Sequence, residues 1–181
     1  MDLLPLHAPD GYHWHVSRMV QTQALVPDGW FVHEGVTRDF SLLTISEDKP
    51  NEEGRFHRGL FVKFISGFSQ RRGVSPIEHA RQAMEQIRAS EDVHFSRDVA
   101  TSPNTVQLFA TFRGKQPYPH GVHLMLMGDA LYDEFRWVAF MAPAESWVEA
   151  WSHARCMFEH LLFWHPSDLD DLSESFSGAI H

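Results

Sequence analysis

Apolar and polar residues alternate along much of the chain between residues 19 and 141, which is typical of β-strands. A strand places successive side chains on opposite faces, so this alternation predicts a sheet with at least one buried face. Residues 59–68 are the most apolar segment and have apolar side chains on both faces, which indicates a strand covered on both sides. The other predicted strands cover residues 19–26, 30–34, 40–46, 93–100, 105–113, 122–127 and 131–141. The last four are joined by connections too short for crossover helices, so we expect neighbouring strands to be antiparallel.

Two segments follow the 3.6-residue period of an α-helix instead. The first covers residues 76–89, where Ser75 can cap the helix, Pro76 suits its first position and Glu78 stands at the capping-box distance. The second covers residues 143–164 and needs a large apolar surface to lie on. Its apolar half consists of Trp147, Val148, Ala150, Trp151, Ala154, Met157, Phe158, Leu161 and Leu162.

These elements predict an α+β fold. The economical arrangement is a three-layer α/β/α sandwich, in which one mostly antiparallel sheet carries a helix on each face. Residues 17–165 form the single domain in this interpretation. Residues 1–16 are polar and interrupted by proline and glycine, so we expect a loose N-terminal arm, and we expect residues 166–181 to form an acidic C-terminal tail.

Composition and charge narrow the class of protein. The chain has 181 residues, of which 43% are hydrophobic, enough for one well-buried domain. Its net charge of −9 argues against general nucleic-acid binding. No segment approaches the ~20 apolar residues of a membrane span, no targeting signal is apparent, and the single Cys156 excludes an intramolecular disulfide. We therefore expect a cytoplasmic protein that binds neither membranes nor nucleic acids.

The polar half of the second helix holds the sharpest candidate metal site. Glu149, His153, Cys156 and His160 lie within ~60° of one another around the helix, and Cys156 and His160 have an i,i+4 spacing that can chelate a soft divalent metal. His153 and His160 are ~10.5 Å apart along the axis, so a zinc ion would need a pair of them plus outside ligands. We expect this face to be ordinary solvated surface, and we assign no metal, cofactor or catalytic residue to the chain.

Two predicted strands carry weaker candidates. His123, Met125 and Met127 share one strand face and are soft ligands suited to Cu(I), although methionines at this spacing more often belong to the core. Glu134 and Arg136 share a face of the last strand and could serve as an acid and an oxyanion donor. We expect them to form a cross-strand ion pair instead.

The remaining candidates are a histidine pair and two basic segments. His13 and His15 can share a strand face, but nothing nearby completes a metal site. The basic segments, residues 55–58 and 71–73, flank the strand at residues 59–68 and would lie ~30 Å apart. The second segment lies just before Ser75, at the start of the first predicted helix, where the backbone amides of the helix favour binding of an anion. We expect both segments to be solvated loop charge.

Several short motifs, taken in their order, resemble a known family. Residues 25–30 read Leu-Val-Pro-Asp-Gly-Trp, the first helix starts Ser-Pro-x-Glu at residues 75–78, and the last strand runs into Phe-Met-Ala-Pro-Ala-Glu at residues 140–145. The second helix carries Trp147 and Ala150 and ends in Leu-Leu-Phe at residues 161–163.

This order resembles the superfamily of PsbP, the extrinsic protein of the photosystem II oxygen-evolving centre. The superfamily also includes the Ran-binding release factor of nuclear import and many uncharacterised bacterial proteins, and the bacterial branch fits this chain best. The resemblance covers roughly residues 17–165 and implies an α/β/α sandwich. It implies no reaction and carries no functional residue over to this chain.

Two hypotheses for function follow. The first is a non-catalytic protein-interaction or assembly module that binds a protein partner or forms a homodimer, with aromatic anchors among Trp14, Trp30, Phe56 and Tyr118. The second is a small-molecule- or metal-binding protein, or an enzyme, with a cleft between a helix and the sheet. A deep pocket with convergent polar groups would favour the second hypothesis, and a filled core with an apolar surface patch would favour the first.

Overall fold

The computed structural model describes residues 7–51, 56–115 and 119–166. Within these residues the chain forms ten strands in two antiparallel sheets, together with three α-helices. The α+β class predicted from the sequence is therefore confirmed. The prediction of a single sheet was wrong, because the first two strands and residues 162–163 form a second, smaller sheet. Residues 1–6 and most of the predicted acidic tail lie outside the described residues.

The larger sheet has seven strands in the order β3-β4-β5-β9-β8-β7-β6. Antiparallel hairpins connect β3 to β4, β4 to β5, and each successive pair from β6 to β9, as the short connections predict. The strands are β3 (Phe31–Val36), β4 (Ser41–Ser46), β5 (Gly59–Ser66), β6 (Asp92–Ser102), β7 (Thr105–Gly114), β8 (His120–Asp129) and β9 (Glu134–Pro143).

The smaller sheet has three strands, with β2 (Thr22–Pro27) between β1 (Tyr12–Ser17) and β10 (Leu162–Phe163). Strand β1 pairs with β2 along its whole length, from Tyr12 opposite Pro27 to Ser17 opposite Thr22. Residues 12–16, which were predicted to belong to a loose arm, are therefore ordered by backbone hydrogen bonds to β2. Prolines and glycines on either side concealed this strand.

Helix α2 (Pro76–Ser90) follows a short helix α1 (Phe68–Arg72) that the sequence did not predict. The predicted start of α2 is confirmed, because the Ser75 hydroxyl accepts a hydrogen bond from the Glu78 backbone amide and Pro76 is the first helical residue. Among the described residues no helix is long and apolar enough to cross a membrane.

The last helix is shorter than predicted. A 3₁₀ turn at Ala144–Ser146 leads into α3 (Trp147–Glu159). Its helical pattern continues to Leu162 in the sequence, but residues 162–163 pair with β2 as a short strand instead. Val148 and Leu162, predicted to be buried, are 88% and 42% exposed.

Both faces of the larger sheet are covered, because neighbouring residues of β9 belong to two different hydrophobic clusters. Val138 and Phe140 pack with residues of α3 and of the smaller sheet, whereas Ala139 packs with residues of α2. The face of the larger sheet that carries Val138 and Phe140 is thus covered by α3 and by the smaller sheet. This shared face distinguishes the molecule from the predicted sandwich of one sheet between two helices.

Candidate functional site

The polar half of α3, predicted to be solvated, is partly covered by β1. His153 Nδ1 lies 2.9 Å from the Tyr12 hydroxyl, and its ring also contacts the ring of Trp30, with centroids 5.3 Å apart. His160 Nδ1 donates to the Cys156 carbonyl oxygen at 2.9 Å, and the Trp14 ring lies 6.2 Å from the His160 ring. Burial, and after it the neighbouring Cys156, raise the pKa of Tyr12 to about 12.

These contacts separate the four residues predicted as a candidate metal site. Glu149 points away to Arg58, with an oxygen–nitrogen distance of 3.6 Å. Among the described residues no group of three or more histidine, cysteine or acidic side chains has the geometry to hold a metal ion. The sequence missed Tyr12 as a partner of His153 because the two residues belong to different elements at opposite ends of the chain.

His123 lies beneath α3, between the sheet and two aromatic rings of the helix. Its ring meets Trp151 and Phe158 edge-on, with centroids 5.0 and 4.6 Å away, and Nδ1 lies 2.8 Å from the Thr111 hydroxyl. Burial lowers the pKa of His123 to about 4, so the imidazole is neutral at physiological pH. Met125 is buried in the core on the same strand face, as expected.

Glu134 and Arg136 form a buried ion pair at the start of β9. Arg136 Nη1 donates to Glu134 Oε2 at 2.8 Å, and the two side chains are only 4% and 3% exposed. The guanidinium lies over the Phe64 ring and its Nη2 donates to Gln21 Oε1 at 3.3 Å. The ion pair predicted across strands is instead formed between two residues of the same strand, where i and i+2 share a face.

This pair does not resemble an acid and an oxyanion donor in an open site. Both side chains are packed between the sheets, and burial lowers the pKa of Arg136 while Glu134 opposes that shift. His165 adds a second, longer contact, with Nε2 3.8 Å from Glu134 Oε1. The arrangement joins the smaller sheet to the larger one.

The two outer strands of the seven-stranded sheet differ in how they meet solvent. Strand β3 exposes Phe31, Val32 and Val36, which are 45%, 37% and 65% accessible. Strand β6 at the other end exposes Phe95 at 49%, but it also carries two register irregularities and three charged residues, Asp92, Arg97 and Asp98. Bulges and charges are features that discourage further strand pairing, and β3 pairs with β4 without an irregularity.

We call the Phe31–Val36 strand with its outward backbone the β3 edge. The sequence predicted a strand here but not its place in the sheet, so its exposure could not be foreseen. Of the predicted aromatic anchors, Trp30 stacks on Phe140 and packs against the core, and Trp14 lies against His160. Phe56 is half-buried, and Tyr118 lies outside the described residues.

A small cavity lies where the β3–β4 turn, the end of β5 and α1 meet. Its volume is about 120 Å³, and we call it the Arg38–Arg71 pocket after the two arginines in its lining. The other lining residues are Val36, Thr37, Phe40, Ser41, Phe64, Ile65 and Ser66. Of the two predicted basic segments, residues 71–73 contribute one lining residue, Arg71, to this pocket. In the other segment Arg58 is paired with Glu47 at 3.3 Å, and Arg55 lies outside the described residues.

A second cavity, of about 130 Å³, lies between the start of α3 and strands β7 and β8. It is lined by His94, Thr111, Phe112, Arg113, Gly121, Ala144, Trp147 and Val148. This is the kind of helix–sheet cleft that the second functional hypothesis requires. Ligand pockets usually have volumes of about 300–1,000 Å³, so this cavity is small for a metabolite.

Comparison with known proteins relates the chain to others by structure. No protein-family model and no curated protein sequence matches it. The solution structure of cyanobacterial PsbP (CyanoP) from Synechocystis sp. PCC 6803 superposes with a TM-score of 0.52 at 10% identity, covering 88% of this chain and 99% of that chain. A protein of unknown function from Pseudomonas aeruginosa superposes with a TM-score of 0.46 at 9% identity, covering 85% of this chain and 99% of that one.

The similarity to CyanoP extends over nearly all of both chains, and at 10% identity it is a similarity of fold. It agrees with the resemblance inferred from the motifs at residues 25–30, 75–78 and 140–145. The chain therefore has a PsbP-like fold, as its sequence predicts.

Proposed function

We propose that the protein is a non-catalytic interaction module of the cytoplasm that binds a protein partner through the β3 edge. The partner would contribute an extended segment that adds a further antiparallel strand to the seven-stranded sheet. In this mode of recognition the main chain supplies affinity, and alternate side chains supply specificity.

The observation that carries this proposal is the exposure of three apolar side chains on an outermost strand. Phe31 points to one face of the sheet, and Val32 and Val36 point to the other, since successive strand residues alternate. An added strand would cover apolar surface on both faces as it pairs with the backbone. The matching segment would carry apolar residues at the positions opposite these three side chains, two of which are adjacent and face opposite ways.

The contrast with β6 supports the choice of edge. Strand β6 ends the same sheet, yet its irregular register and its charged residues oppose the approach of another chain. The β3 edge has one ion pair close by, between His15 Nε2 and Glu34 Oε1 at 2.8 Å. That contact is made to β1, and among the described residues β3 pairs with no strand other than β4.

The contacts of the candidate metal-binding and acid–base residues also support a non-catalytic role. His153 bonds to Tyr12, His123 lies against Thr111 beneath α3, and Glu134 pairs with Arg136 between the sheets. Each of these groups stabilises packing between elements. The alternative function, a small-molecule or metal site in a helix–sheet cleft, would have to use the cavity of about 130 Å³ beside Trp147.

The experiment compares capture of partners by edge variants and by a matched surface variant. Phe31→Lys and Val32→Lys place a charge on the β3 edge, whereas Val148→Lys makes the same change at an 88% exposed position of α3. Val36 is left unchanged because it also lines the Arg38–Arg71 pocket. Each tagged variant is used for affinity purification from the native host, with mass spectrometry, after its thermal unfolding has been checked.

We expect the wild type and Val148→Lys to retain the same stoichiometric protein partner, and both edge variants to lose it. With the purified partner, amide hydrogen exchange should slow within residues 31–36 on binding. Equal capture by the edge variants, or protection confined to another surface, would contradict the proposal. A dimer of the wild type alone, abolished by Phe31→Lys in sedimentation analysis, would identify the occupant as a second copy of this chain.

A further inference from the structure

Positive charge is concentrated around the Arg38–Arg71 pocket, although the chain as a whole is acidic with a net charge of −9. Arg38 and Arg71 line the pocket, and Lys63 and Arg72 lie close to it. Among the charged neighbours that influence Lys63, Asp39 is the acidic one. Basic side chains therefore outnumber the acidic ones around the pocket, Asp39 and Asp133, on a molecule that is negatively charged overall.

Helix α1, which carries two of these arginines, is held rigidly. Phe68 is fully buried at its start, and the Phe68 backbone amide donates to the Asp133 carbonyl oxygen at 2.9 Å. The Asp133 carboxylate accepts from both the backbone amide and the hydroxyl of Ser69, at 2.8 and 2.9 Å. Gly67 and Gly73, both at positive φ, turn the chain sharply before and after the helix. Arg71 and Arg72 therefore project from a fixed turn.

The opposite wall of the pocket is equally well ordered. The Thr37 hydroxyl accepts hydrogen bonds from the backbone amides of Asp39 and Phe40, and it donates to the Phe40 carbonyl oxygen. Arg71 Nη1 reaches the Arg38 carbonyl oxygen at 3.5 Å and so connects α1 to this turn. A site whose walls are already fixed loses little entropy when a ligand binds.

The cations of this region repel one another in the absence of a ligand. Burial, and next the charge of Arg72, lower the pKa of Lys63, whose ammonium lies 4.0 Å from the Phe40 ring centroid. Burial and then the charges of Arg72 and Lys63 lower the pKa of His79. A bound anion would relieve this repulsion.

We propose that the Arg38–Arg71 pocket binds a small tetrahedral oxyanion, namely phosphate or a terminal phosphate group. Guanidinium groups match the oxygens of phosphate with paired hydrogen bonds, and Ser41 and Ser66 are also among the lining residues. A volume of about 120 Å³ suits such an ion and is well below that of ordinary metabolite pockets. The site shares Val36 with the β3 edge, but its arginines lie outside that strand.

The probe is inorganic phosphate, titrated at constant ionic strength into the full chain and followed by amide chemical shifts and calorimetry. The variants are Arg38→Gln and Arg71→Gln. Arg155→Gln is the matched control, because Arg155 is an exposed arginine on α3, away from the pocket. Amide spectra of each variant check that the fold is retained.

We expect saturable binding with the largest shifts in residues 37–41 and 66–72. Each pocket variant should weaken binding about tenfold or more, as expected for a lost charge-assisted contact. The Arg155→Gln variant should bind as the wild type does. Equal weakening by all three variants would reduce the effect to general charge screening and overturn the proposal.

The source of the phosphate group is tested by a parallel titration with O-phosphoserine. Tighter binding than that of inorganic phosphate would identify a phosphorylated larger molecule as the ligand, and weaker binding would identify the free ion. Absence of binding by both probes would refute the site. None of these outcomes bears on partner capture through the β3 edge.

Discussion

Tyr12 and His153 are joined by a hydrogen bond of 2.9 Å between the phenol oxygen and Nδ1, although 141 positions separate them in the sequence. The bond connects β1 to the polar face of α3. It also lies among aromatic rings, since the His153 ring contacts Trp30 as well as Tyr12. The smaller sheet is therefore attached to α3 by a polar contact as well as by apolar packing.

Tyr12→Phe should remove this contact while keeping the ring. We expect the free energy of unfolding at pH 7 to fall by about 1 kcal/mol, the usual net value of a protein hydrogen bond. Urea denaturation measures the change. Tyr132→Phe is the matched control, because Tyr132 is exposed and stacks on His165 without a corresponding buried hydrogen bond in the described residues.

Tyr12 also makes stability sensitive to alkali, because burial and the neighbouring Cys156 raise its pKa in the folded protein. The pKa of Tyr12 is raised to about 12 in the folded protein from about 10 in the unfolded chain, so the unfolded state loses this proton first. The contribution of protonated Tyr12 to the free energy of unfolding is fully present below pH 10 and declines as the pH rises toward 12. Tyr12→Phe should reduce the slope of stability against pH in this range; an unchanged slope would show that the folded phenol titrates normally.

His123 should make the protein sensitive to acid. Its pKa is about 4 when folded and about 6.5 when unfolded, so the unfolded state takes up the proton first as the pH falls. We expect a loss of up to about 3 kcal/mol between pH 6.5 and pH 4 that is absent from His123→Gln. The other titrating groups are common to the two proteins, so the difference between their free energies of unfolding across that range reports on His123. A ring titration near pH 6.5 in the NMR spectrum of the folded wild type would contradict this assignment.

Replacing one partner of the Glu134–Arg136 pair should lower the free energy of unfolding more than replacing both partners. Arg136→Met leaves the Glu134 carboxylate buried without its main partner, and we expect a loss of about 3–5 kcal/mol in denaturant unfolding. The double variant Glu134→Leu, Arg136→Met should recover most of this loss, because no buried charge remains. A double variant no more stable than Arg136→Met would contradict this prediction, because the unpaired Glu134 carboxylate would then not be the source of the loss.

Gly128 allows the backbone of α2 to approach β8. A Cβ atom at this position would collide with the Pro76 carbonyl oxygen and would meet Ile77 N at 2.8 Å. Gly128→Ala should therefore destabilise the protein by about 1–3 kcal/mol, since the helix must move. Gly35→Ala is the control, because its Cβ would meet only His33 Nε2 at an ordinary 3.7 Å. Thermal unfolding of both variants tests the difference.

Local signals in the sequence predicted the elements well. Ser75, Pro76 and Glu78 marked the start of α2, and the apolar residues on both faces of residues 59–68 indicated the covered central strand β5. These features depend on neighbours along the chain, which periodicity and capping rules describe directly.

Properties that depend on distant residues could not be predicted in the same way. The helical projection of residues 143–164 placed His153 and Cys156 on a free surface, because it contains no information about β1. It likewise could not show that residues 162–163 would pair with β2. The exposure of Phe31 and the meeting of Arg38 with Arg71 follow from strand order, which alternation does not specify.

The position of β2 between β1 and β10 affects when the fold can be completed during synthesis. Strand β2 obtains its first partner as soon as residues 12–27 have been made, but its second partner is residues 162–163. Until these emerge, one backbone edge of β2 stays open, as does the surface that α3 will cover. The nascent chain therefore exposes a strand edge throughout the synthesis of the larger sheet, and such edges are where nascent chains misassociate.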